Sequence, residues 1–183
     1  MAITDSDISD ALGAYLERHP DEAEQLSKPL QLLGEGRNFA SRRSFPMHVT
    51  VGALLVRDGV EILLIEHLDY GLTLQPGGHL EPTDTSLVEA AVRELTEETG
   101  MDPRQVSVVS TTPVYVECGK VPARPHKDEP EHYHLDIGYA FTTVRGDVGR
   151  IQESEVTGAG WYPLEAAERL VGHRIRRAAT APA

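Results

Sequence analysis

The sequence predicts an α+β domain with a helical extension at its N-terminus. Two observations favour this class: residues 4–33 carry apolar side chains at helical spacing, and from His48 onward β-rich runs alternate with two further helical segments. A length of 183 residues suits one domain with a substantial core. We expect a helical extension and linker over residues 1–45, the main domain over 46–172 and a C-terminal tail over 173–183.

The main domain is expected to begin with a hairpin. Residues 49–56 are β-rich, Arg57-Asp58-Gly59 is a turn signal, and residues 60–65 return as a second strand. Two further segments, 106–117 and 132–144, are also strand-like. One helix is predicted from near Thr85 to Gly100, and Trp161-Tyr162-Pro163 is expected to close a last strand and open a final helix that continues through Leu170.

Composition excludes several classes of partner. The net charge of −12 disfavours a nucleic-acid polymer or an anionic membrane surface as the binding partner. No apolar run approaches the roughly 18–20 residues that span a bilayer. The single cysteine, Cys118, allows no disulfide within the chain, and we interpret it as a small residue on a strand. The acidic N-terminus is unlike a secretory signal, so the expected location is cytoplasmic.

Three carboxylates on one predicted helix carry the strongest chemical signal. Glu94, Glu97 and Glu98 stand at positions i, i+3 and i+4, which share a helix face. Like charges at this spacing repel each other, and a hard divalent cation such as Mg²⁺ relieves the repulsion. Arg93 precedes the cluster and can orient one of the carboxylates. The alternative interpretation is an ordinary acidic surface helix.

A glycine-rich loop before this helix and a glycine after it favour the functional interpretation. Pro76-Gly77-Gly78-His79 followed by Arg93-Glu94-Leu95-Thr96-Glu97-Glu98-Thr99-Gly100-Met101 resembles the signature of the Nudix hydrolase family. The second half of the signature matches at every specified position. In the first half, the acidic position falls on Asp84 instead of a glutamate, and one extra residue precedes Arg93. The insertion should leave the face of Glu94 intact, and it makes the role of Asp84 an open question.

The resemblance implies a fold and a reaction. The fold is an α/β/α sandwich with a mixed sheet over about residues 46–172, and the reaction is hydrolysis of a diphosphate linkage in a nucleoside diphosphate derivative. It implies Mg²⁺, for which Mn²⁺ can substitute, held by Glu94, Glu97, Glu98 and the carbonyl of Gly78. Glu98 or Glu97 would take the proton from the attacking water, with Arg93 as the third catalytic residue.

A second row of polar residues follows a predicted strand. His132, His134 and Asp136 alternate, so they face the same side of a sheet. Alternating polar residues usually mark a solvent face, but two histidines and an aspartate after a charged loop also suit an active-site wall. We therefore assign these three residues and His79 to substrate binding. A transition-metal site on the histidines is the less favoured alternative, since the other expected ligands are oxygens.

Other residues have open roles. Glu129, which is also assigned to substrate binding, and Glu131 are candidates for the additional acid that in the Nudix family often completes the metal site or acts as the base. His67, Tyr70 and the loop 118–131 could line a leaving-group pocket. The acidic pair before Trp161, Glu153 and Glu155, is interpreted as surface. The linker arginines (Arg37, Arg42 and Arg43) are expected to be solvated, with phosphate contact as the alternative.

Two rival functions remain to be weighed. One is a catalytically weak Nudix-fold regulator that binds a nucleotide, and the other is an isomerase of isoprenoid diphosphates, which would need a cysteine in the site. The expected partner is a small nucleotide or diphosphate. Homodimerisation is the ordinary prior for such a protein. The sequence does not identify the substrate.

Overall fold

The computed structural model describes residues 2–125, 128–144 and 146–181, and these contain five α-helices and eight strands. The helices are α1 (Asp5–Arg18), α2 (Ala23–Leu33), α3 (Leu87–Thr99), α4 (Leu164–Val171) and α5 (Arg174–Ala179). The strands are β1 (Met47–Arg57), β2 (Glu61–His67), β3 (Leu72–Leu74), β4 (Gly77–His79), β5 (Ser107–Val108), β6 (Tyr115–Val121), β7 (His132–Thr143) and β8 (Val156–Pro163). No helix among the described residues is long and apolar enough to cross a membrane.

The described strands form one mixed sheet centred on β1. Its main order is β3-β2-β1-β7-β5, and β4, β6 and β8 pair with β1, β7 and β2 respectively. Strands β1 and β7 run parallel in register from Met47 opposite Tyr133 to Arg57 opposite Thr143, and the other pairings are antiparallel. β1 is buried over almost its whole length, as expected for a central strand that is covered on both faces.

Helices cover both faces of this sheet. Odd-numbered side chains of β1, such as Val51 and Leu55, belong to the core that contains α1, α2 and α3. Even-numbered ones, such as Leu54 and Val56, pack with Ala167 of α4 and other residues of the two C-terminal helices. Alternation along a strand sends successive side chains to opposite faces, so two cores form on one sheet. The expected α/β/α sandwich with a mixed sheet is confirmed.

The N-terminal extension is part of the larger core. Ile8 and Leu12 of α1 are fully buried in the same cluster as Leu95 of α3. The carboxylate of Asp5 accepts hydrogen bonds from the backbone N–H groups of Asn38 and Phe39, which fixes the linker against α1. The extension therefore covers one face of the sheet and brings the linker to the edge where β4 lies.

The predicted hairpin is present only at its tip. β1 pairs with β2 through Val56 and Arg57 alone, and further back Thr50 pairs with His79 of β4. The expected loop at residues 76–79 thus contains a short strand. The expected strand at 106–117 is divided into β5 and β6, because Pro113 lacks the N–H that a continuous ladder requires.

The expected C-terminal tail contains α5, which the sequence analysis did not predict. Ile175 is fully buried and Ala178 nearly so, both in the second core. Arg177 donates to Tyr15 of α1 and to Glu22, so this helix also joins the two ends of the chain. Apolar burial orders a segment that reads as charged in the sequence.

Candidate active site

Helix α3 is fixed at both ends by local chemistry. The hydroxyl of Ser86 caps its N-terminus by accepting from the backbone N–H of Glu89 at 3.2 Å. Gly100 ends it in the left-handed conformation, with φ of 66°. Leu87, Ala91 and Leu95 bury its apolar stripe against the sheet. The glutamates of the last two turns are thereby held beside β4.

Glu94 and Glu98 are buried carboxylates that face the glycines of β4. Glu98 is fully buried, and its Oε2 accepts a 2.8 Å hydrogen bond from the backbone N–H of Gly77. Glu94 is 8% exposed and lies against Gly78, where an added Cβ would stand 2.6 Å from Oε2 of Glu94. The carboxylate of Glu94 thus takes up the space of a side chain at Gly78, which only glycine provides.

Burial makes both carboxylates hard to ionise. It raises the pKa of Glu94 to about 7 and that of Glu98 to about 8, and the negative charges of Glu97 and Glu155 add to both shifts. Arg93 opposes the shift at Glu94, and the N–H of Gly77 opposes it at Glu98. Burial thus outweighs these stabilising contacts at both carboxylates.

The guanidinium of Arg93 donates hydrogen bonds to three carboxylates and one backbone carbonyl near this helix. Its Nε and Nη2 each donate to one oxygen of Asp84 at 3.0 Å, and Nη2 also donates to the carbonyl of His79 at 2.9 Å. Its Nη1 donates to Glu94 and Glu97, both at 3.0 Å. Asp84, whose role was open, is thus the bidentate partner of Arg93 despite the extra residue between them.

The three helix glutamates have different environments. Glu97 has a side chain 47% exposed and an ion pair with Arg93, whereas Glu94 and Glu98 turn inward. Positions i and i+4 differ by about 40° around a helix, while i+3 and i+4 differ by about 100°. The expectation of three equivalent carboxylates on one face is therefore refined to two buried carboxylates with a third at the rim.

A divalent cation fits this set of donors. The Oε1 atom of Glu98 is buried and has no hydrogen-bond partner within the described part of the chain. The two nearby carboxylates, the rim glutamate Glu97 and the carbonyl of Gly78 supply only oxygen donors, which Mg²⁺ prefers. A cation placed there would coordinate Oε1 of Glu98 and favour the ionised form of both carboxylates, which burial disfavours.

Four histidine rings form a cluster at the neighbouring edge of the sheet. His48 on β1 stands opposite His134 on β7, and His79 and His132 complete the group. Ring centroids of His48 lie 5.1 Å from His79, 4.7 Å from His132 and 4.6 Å from His134. The sequence analysis assigned three of these residues to the site and did not include His48. Its partner on β7 is 86 positions away along the chain, and only the parallel pairing brings the two together.

Asp136 is held in a fixed position at the far end of this row. Its carboxylate accepts from Thr50 Oγ1 at 3.0 Å and from the hydroxyl of Tyr115 at 2.8 Å. The ring of Tyr115 crosses the sheet over Gly138 and Gly52, where any Cβ would overlap it. Two hydrogen bonds therefore hold the carboxylate of Asp136 in place in the wall of a neighbouring cavity.

Two cavities meet at Gly78 and His79. One, of about 590 Å³, lies over the helix glutamates and is bounded by linker residues such as Asn38 and Ala40. The other, of about 510 Å³, lies over the histidines, and its lining residues include His134, Asp136, Glu129, His67 and Tyr70. The loop residues Lys120, Val121 and Arg124 line it too, while residues 126–127 of the same loop lie outside the described residues.

Two charged residues that the sequence analysis placed at the surface line both cavities. Glu155 is exposed, as expected, and it also lines both cavities. Arg42 does the same and forms a 3.2 Å ion pair with Glu129. Of the two expected additional acids, Glu129 is thus neutralised by Arg42, and Glu131 lies in an exposed 2.8 Å ion pair with Lys120. Cys118 lines a separate cavity with residues such as Glu117 and Arg177.

The family model described as the NUDIX domain matches residues 46–181. This is most of the chain. The protein belongs to the Nudix family. The matched residues include every strand and the helices α3, α4 and α5.

Individual relatives agree with this assignment. Phosphatase NudJ of Escherichia coli K12 is 49% identical over 59 residues, which are 31% of this chain and 37% of that relative. The matched region thus spans well under half the length of the curated relative. Two solved structures share the fold. A C. elegans Ap4A hydrolase in a binary complex has a TM-score of 0.56 and 19% identity, and the match covers 70% of this chain and 93% of that one. A Nudix-family hydrolase from Clostridium perfringens has a TM-score of 0.52 and 20% identity, and the match covers 72% of this chain and 93% of that one.

Proposed function

We propose that this Nudix protein is a Mg²⁺-dependent pyrophosphohydrolase that cleaves a diphosphate linkage in a small nucleoside diphosphate derivative, giving a nucleoside monophosphate and a phosphorylated product. One observation carries the proposal. Two buried carboxylates, Glu94 and Glu98, converge on Gly77 and Gly78 beside the first cavity, and Oε1 of Glu98 has no hydrogen-bond partner among the described residues.

The residues that would hold Mg²⁺ are Glu94, Glu98 and the carbonyl of Gly78, with Glu97 at the rim; Mn²⁺ offers the same preference for oxygen ligands. Bound there, the cation would neutralise charge on the diphosphate oxygens and promote ionisation of the attacking water. Arg93 would act by holding Glu94 and Glu97 in place through its hydrogen bonds, while its own position is fixed by Asp84.

Phosphate binding would fall to Arg42. Its guanidinium side chain is 52% exposed and lies where the two cavities meet, so it can contact a diphosphate that spans them. The pairing with Glu129 keeps it oriented while leaving other N–H donors free. Its charge would also offset the field of the glutamates, which would otherwise repel an anionic substrate.

The acceptor for the proton of the attacking water would be a carboxylate in or beside the first cavity, which lies over the helix glutamates. Glu98 and Glu97 remain the sequence-based candidates. Glu155 joins them because it faces both cavities and its side chain has no ion-pair partner within the described residues. A carboxylate without an ion-pair partner is better suited to this task than Glu97, Glu129 or Glu131, which pair with Arg93, Arg42 and Lys120 respectively.

The leaving group would occupy the cavity over the histidines. Tyr70 offers an aromatic face there: the guanidinium of Arg124 lies 4.9 Å from its ring centroid and the ring of His67 lies 4.4 Å away. Such a surface can stack on a nucleobase or a flat polar group. The size of about 510 Å³ suits a small molecule and not a polymer.

The test is a substrate panel with product identification by mass spectrometry. Purified protein with Mg²⁺ is incubated with dinucleoside polyphosphates, ADP-ribose, nucleotide sugars and standard and oxidised nucleoside triphosphates. Dinucleoside polyphosphates are included because a structural relative is an Ap4A hydrolase. We expect hydrolysis of one class, abolished by EDTA and recovered with Mg²⁺ or Mn²⁺. Tight binding of a member without turnover would instead favour a nucleotide-binding regulator.

A further inference from the structure

Three histidines from three strands bring their ring nitrogens to one point. One ring nitrogen from each of His48, His79 and His134 lies within 4.8 Å of those of the other two. Nε2 of His48 and Nε2 of His79 lie 3.2 Å apart. Ligand nitrogens about 2.0–2.1 Å from a tetrahedral zinc ion are separated by roughly 3.3 Å, so this pair already has the spacing of two zinc ligands.

Hydrogen bonds orient the rings for this purpose. Nδ1 of His48 is 3.3 Å from the carbonyl of Ser44, to which it can only donate, and this leaves Nε2 of the neutral ring with its lone pair directed at His79. Histidine ligands commonly hold their orientation by donating the second ring nitrogen to a carbonyl. His132 plays a supporting part: its Nδ1 donates to the carbonyl of Pro130 at 2.7 Å, and its Nε2 faces Nε2 of His134 at 3.1 Å.

Charged side chains stand around the three rings. Arg42, Arg124 and Glu129 line the same cavity as His79 and His134. Because Arg42 is itself paired with Glu129, an entering cation does not meet its full charge.

Two of the three rings are accessible from a cavity. His48 is fully buried, whereas His79 and His134 form part of the wall of the second cavity. Three histidine ligands with an open fourth position are the arrangement of catalytic zinc sites. Imidazole nitrogens select late first-row divalent ions over Mg²⁺, whereas the helix glutamates select the opposite way.

We propose that His48, His79 and His134 form a second metal site of this protein, specific for Zn²⁺ or a similar late first-row ion and separate from the oxygen site on α3. The two sites share the segment Gly78–His79 but use different atoms of it: the carbonyl of Gly78 would face the helix glutamates, and the ring of His79 the other histidines. This inference concerns metal binding alone and stands whether or not the protein hydrolyses a diphosphate.

The test is zinc binding by the full chain after removal of metals by chelation. Titration with Zn²⁺ in a calorimeter, in buffer with excess Mg²⁺, should give about one equivalent bound with a Kd of micromolar or tighter. Co²⁺ in place of Zn²⁺ should give the intense visible absorption of a tetrahedral complex. His79→Gln and His134→Gln should each weaken zinc binding by about 100-fold or more and abolish the cobalt spectrum, since each removes one of three ligands.

Two control variants make the result specific. His173→Gln removes an exposed histidine that pairs with Glu168 and is not one of the three proposed ligands, and Glu98→Gln removes a helix carboxylate; neither should change zinc affinity. Circular dichroism of each variant checks folding, and His79 and His134 line a cavity, where substitution is tolerated better than at the buried His48. Zinc affinity that is unchanged in both histidine variants, or lost in Glu98→Gln, would overturn the proposal and leave the histidines as a hydrogen-bonded wall.

Discussion

Asp84 and Arg93 form a bidentate ion pair, in which Nε and Nη2 of the arginine each donate to a different carboxylate oxygen at 3.0 Å. Asp84 is buried and also accepts a 2.7 Å hydrogen bond from the backbone N–H of Glu81. The pair connects the segment before α3 to the helix itself. Because Arg93 also holds Glu94, Asp84 controls the geometry of the site from outside it.

Replacing this aspartate tests that indirect role. Asp84→Asn removes the charge that positions Arg93, so we expect kcat to fall about 10- to 100-fold and the free energy of unfolding to fall by about 1.5–3 kcal/mol. Urea denaturation and steady-state kinetics measure the two effects. Asp102→Asn is the matched control, since Asp102 forms an exposed pair with Arg104 away from the cavities, and it should leave kcat unchanged. Equal kinetics in both variants would contradict the assignment.

A second prediction concerns Gly78. A methyl group there would stand 2.6 Å from Oε2 of Glu94, so Gly78→Ala should displace the carboxylate and lower kcat by about 100-fold or more, with a higher Mg²⁺ requirement. Gly13→Ala in α1 is the control, because nothing lies within 4 Å of a Cβ at that position. That change should stabilise the protein by up to about 1 kcal/mol and leave activity intact. A Gly78→Ala enzyme with normal Mg²⁺ dependence would show that Glu94 does not need its present position.

The pH dependence of stability tests the charge imbalance at Glu98. Burial raises its pKa to about 8 in the folded protein, against an ordinary value of 4.5 for a glutamate, so the folded state retains a proton that the unfolded chain has lost. Stability of the metal-free protein should therefore fall as pH rises from about 4.5 to about 8, by up to about 1.4 kcal/mol per pH unit from this group.

Thermal melts in EDTA across this range measure the effect, with Glu98→Gln as the comparison. The variant cannot ionise at this position, so its melting temperature should fall less steeply with pH. Added Mg²⁺ should raise the wild-type melting temperature more at the alkaline end, where the carboxylate is available as a ligand. Parallel curves for the two proteins would mean that Glu98 ionises normally.

The position of Arg42 predicts a defect in binding rather than in chemistry. Arg42→Ala removes a cation at the junction of the two cavities, so we expect KM to rise about 10-fold with kcat within about 2-fold of wild type. Arg37→Ala is the control, because Arg37 forms an exposed ion pair with Glu35 in the same linker. A fall in kcat at unchanged KM would place Arg42 in the chemical step instead.

The sequence predicted the parts of the molecule that depend on local spacing. The helix with its glycine end, the shared face of Glu94 and Glu98, and the alternating row on β7 all follow from periods of 3.6 and 2 residues. The mixed sheet came from the family resemblance. Local spacing alone predicted that Glu97 would face the same way as Glu94 and Glu98, whereas its side chain lies at the rim. Packing on the sheet fixes the rotation of α3, and the spacing of the three glutamates does not.

What the sequence could not predict depends on long-range pairing. His48 appeared as the first polar residue of a strand, and only the parallel register of β1 with β7 places it beside His134. Glu155 and Arg42 read as surface residues, and both are exposed, yet folding brings them to the same cavity. The segment of α5 contains three arginines, so its sequence looks like a charged surface segment. The helix is nevertheless held in the fold by the burial of Ile175.

The most direct test of the central claim compares Glu98→Gln with Glu89→Gln on the substrate that the panel identifies. Both residues lie on α3, but Glu89 is exposed in the first turn, whereas Glu98 is buried against Gly77. We predict that Glu98→Gln lowers Mg²⁺-dependent kcat/KM by at least about 1,000-fold, while Glu89→Gln stays within about 2-fold of wild type. Near-normal Mg²⁺-dependent turnover in Glu98→Gln would contradict the account, because hydrolysis would then proceed without the carboxylate around which the site is built.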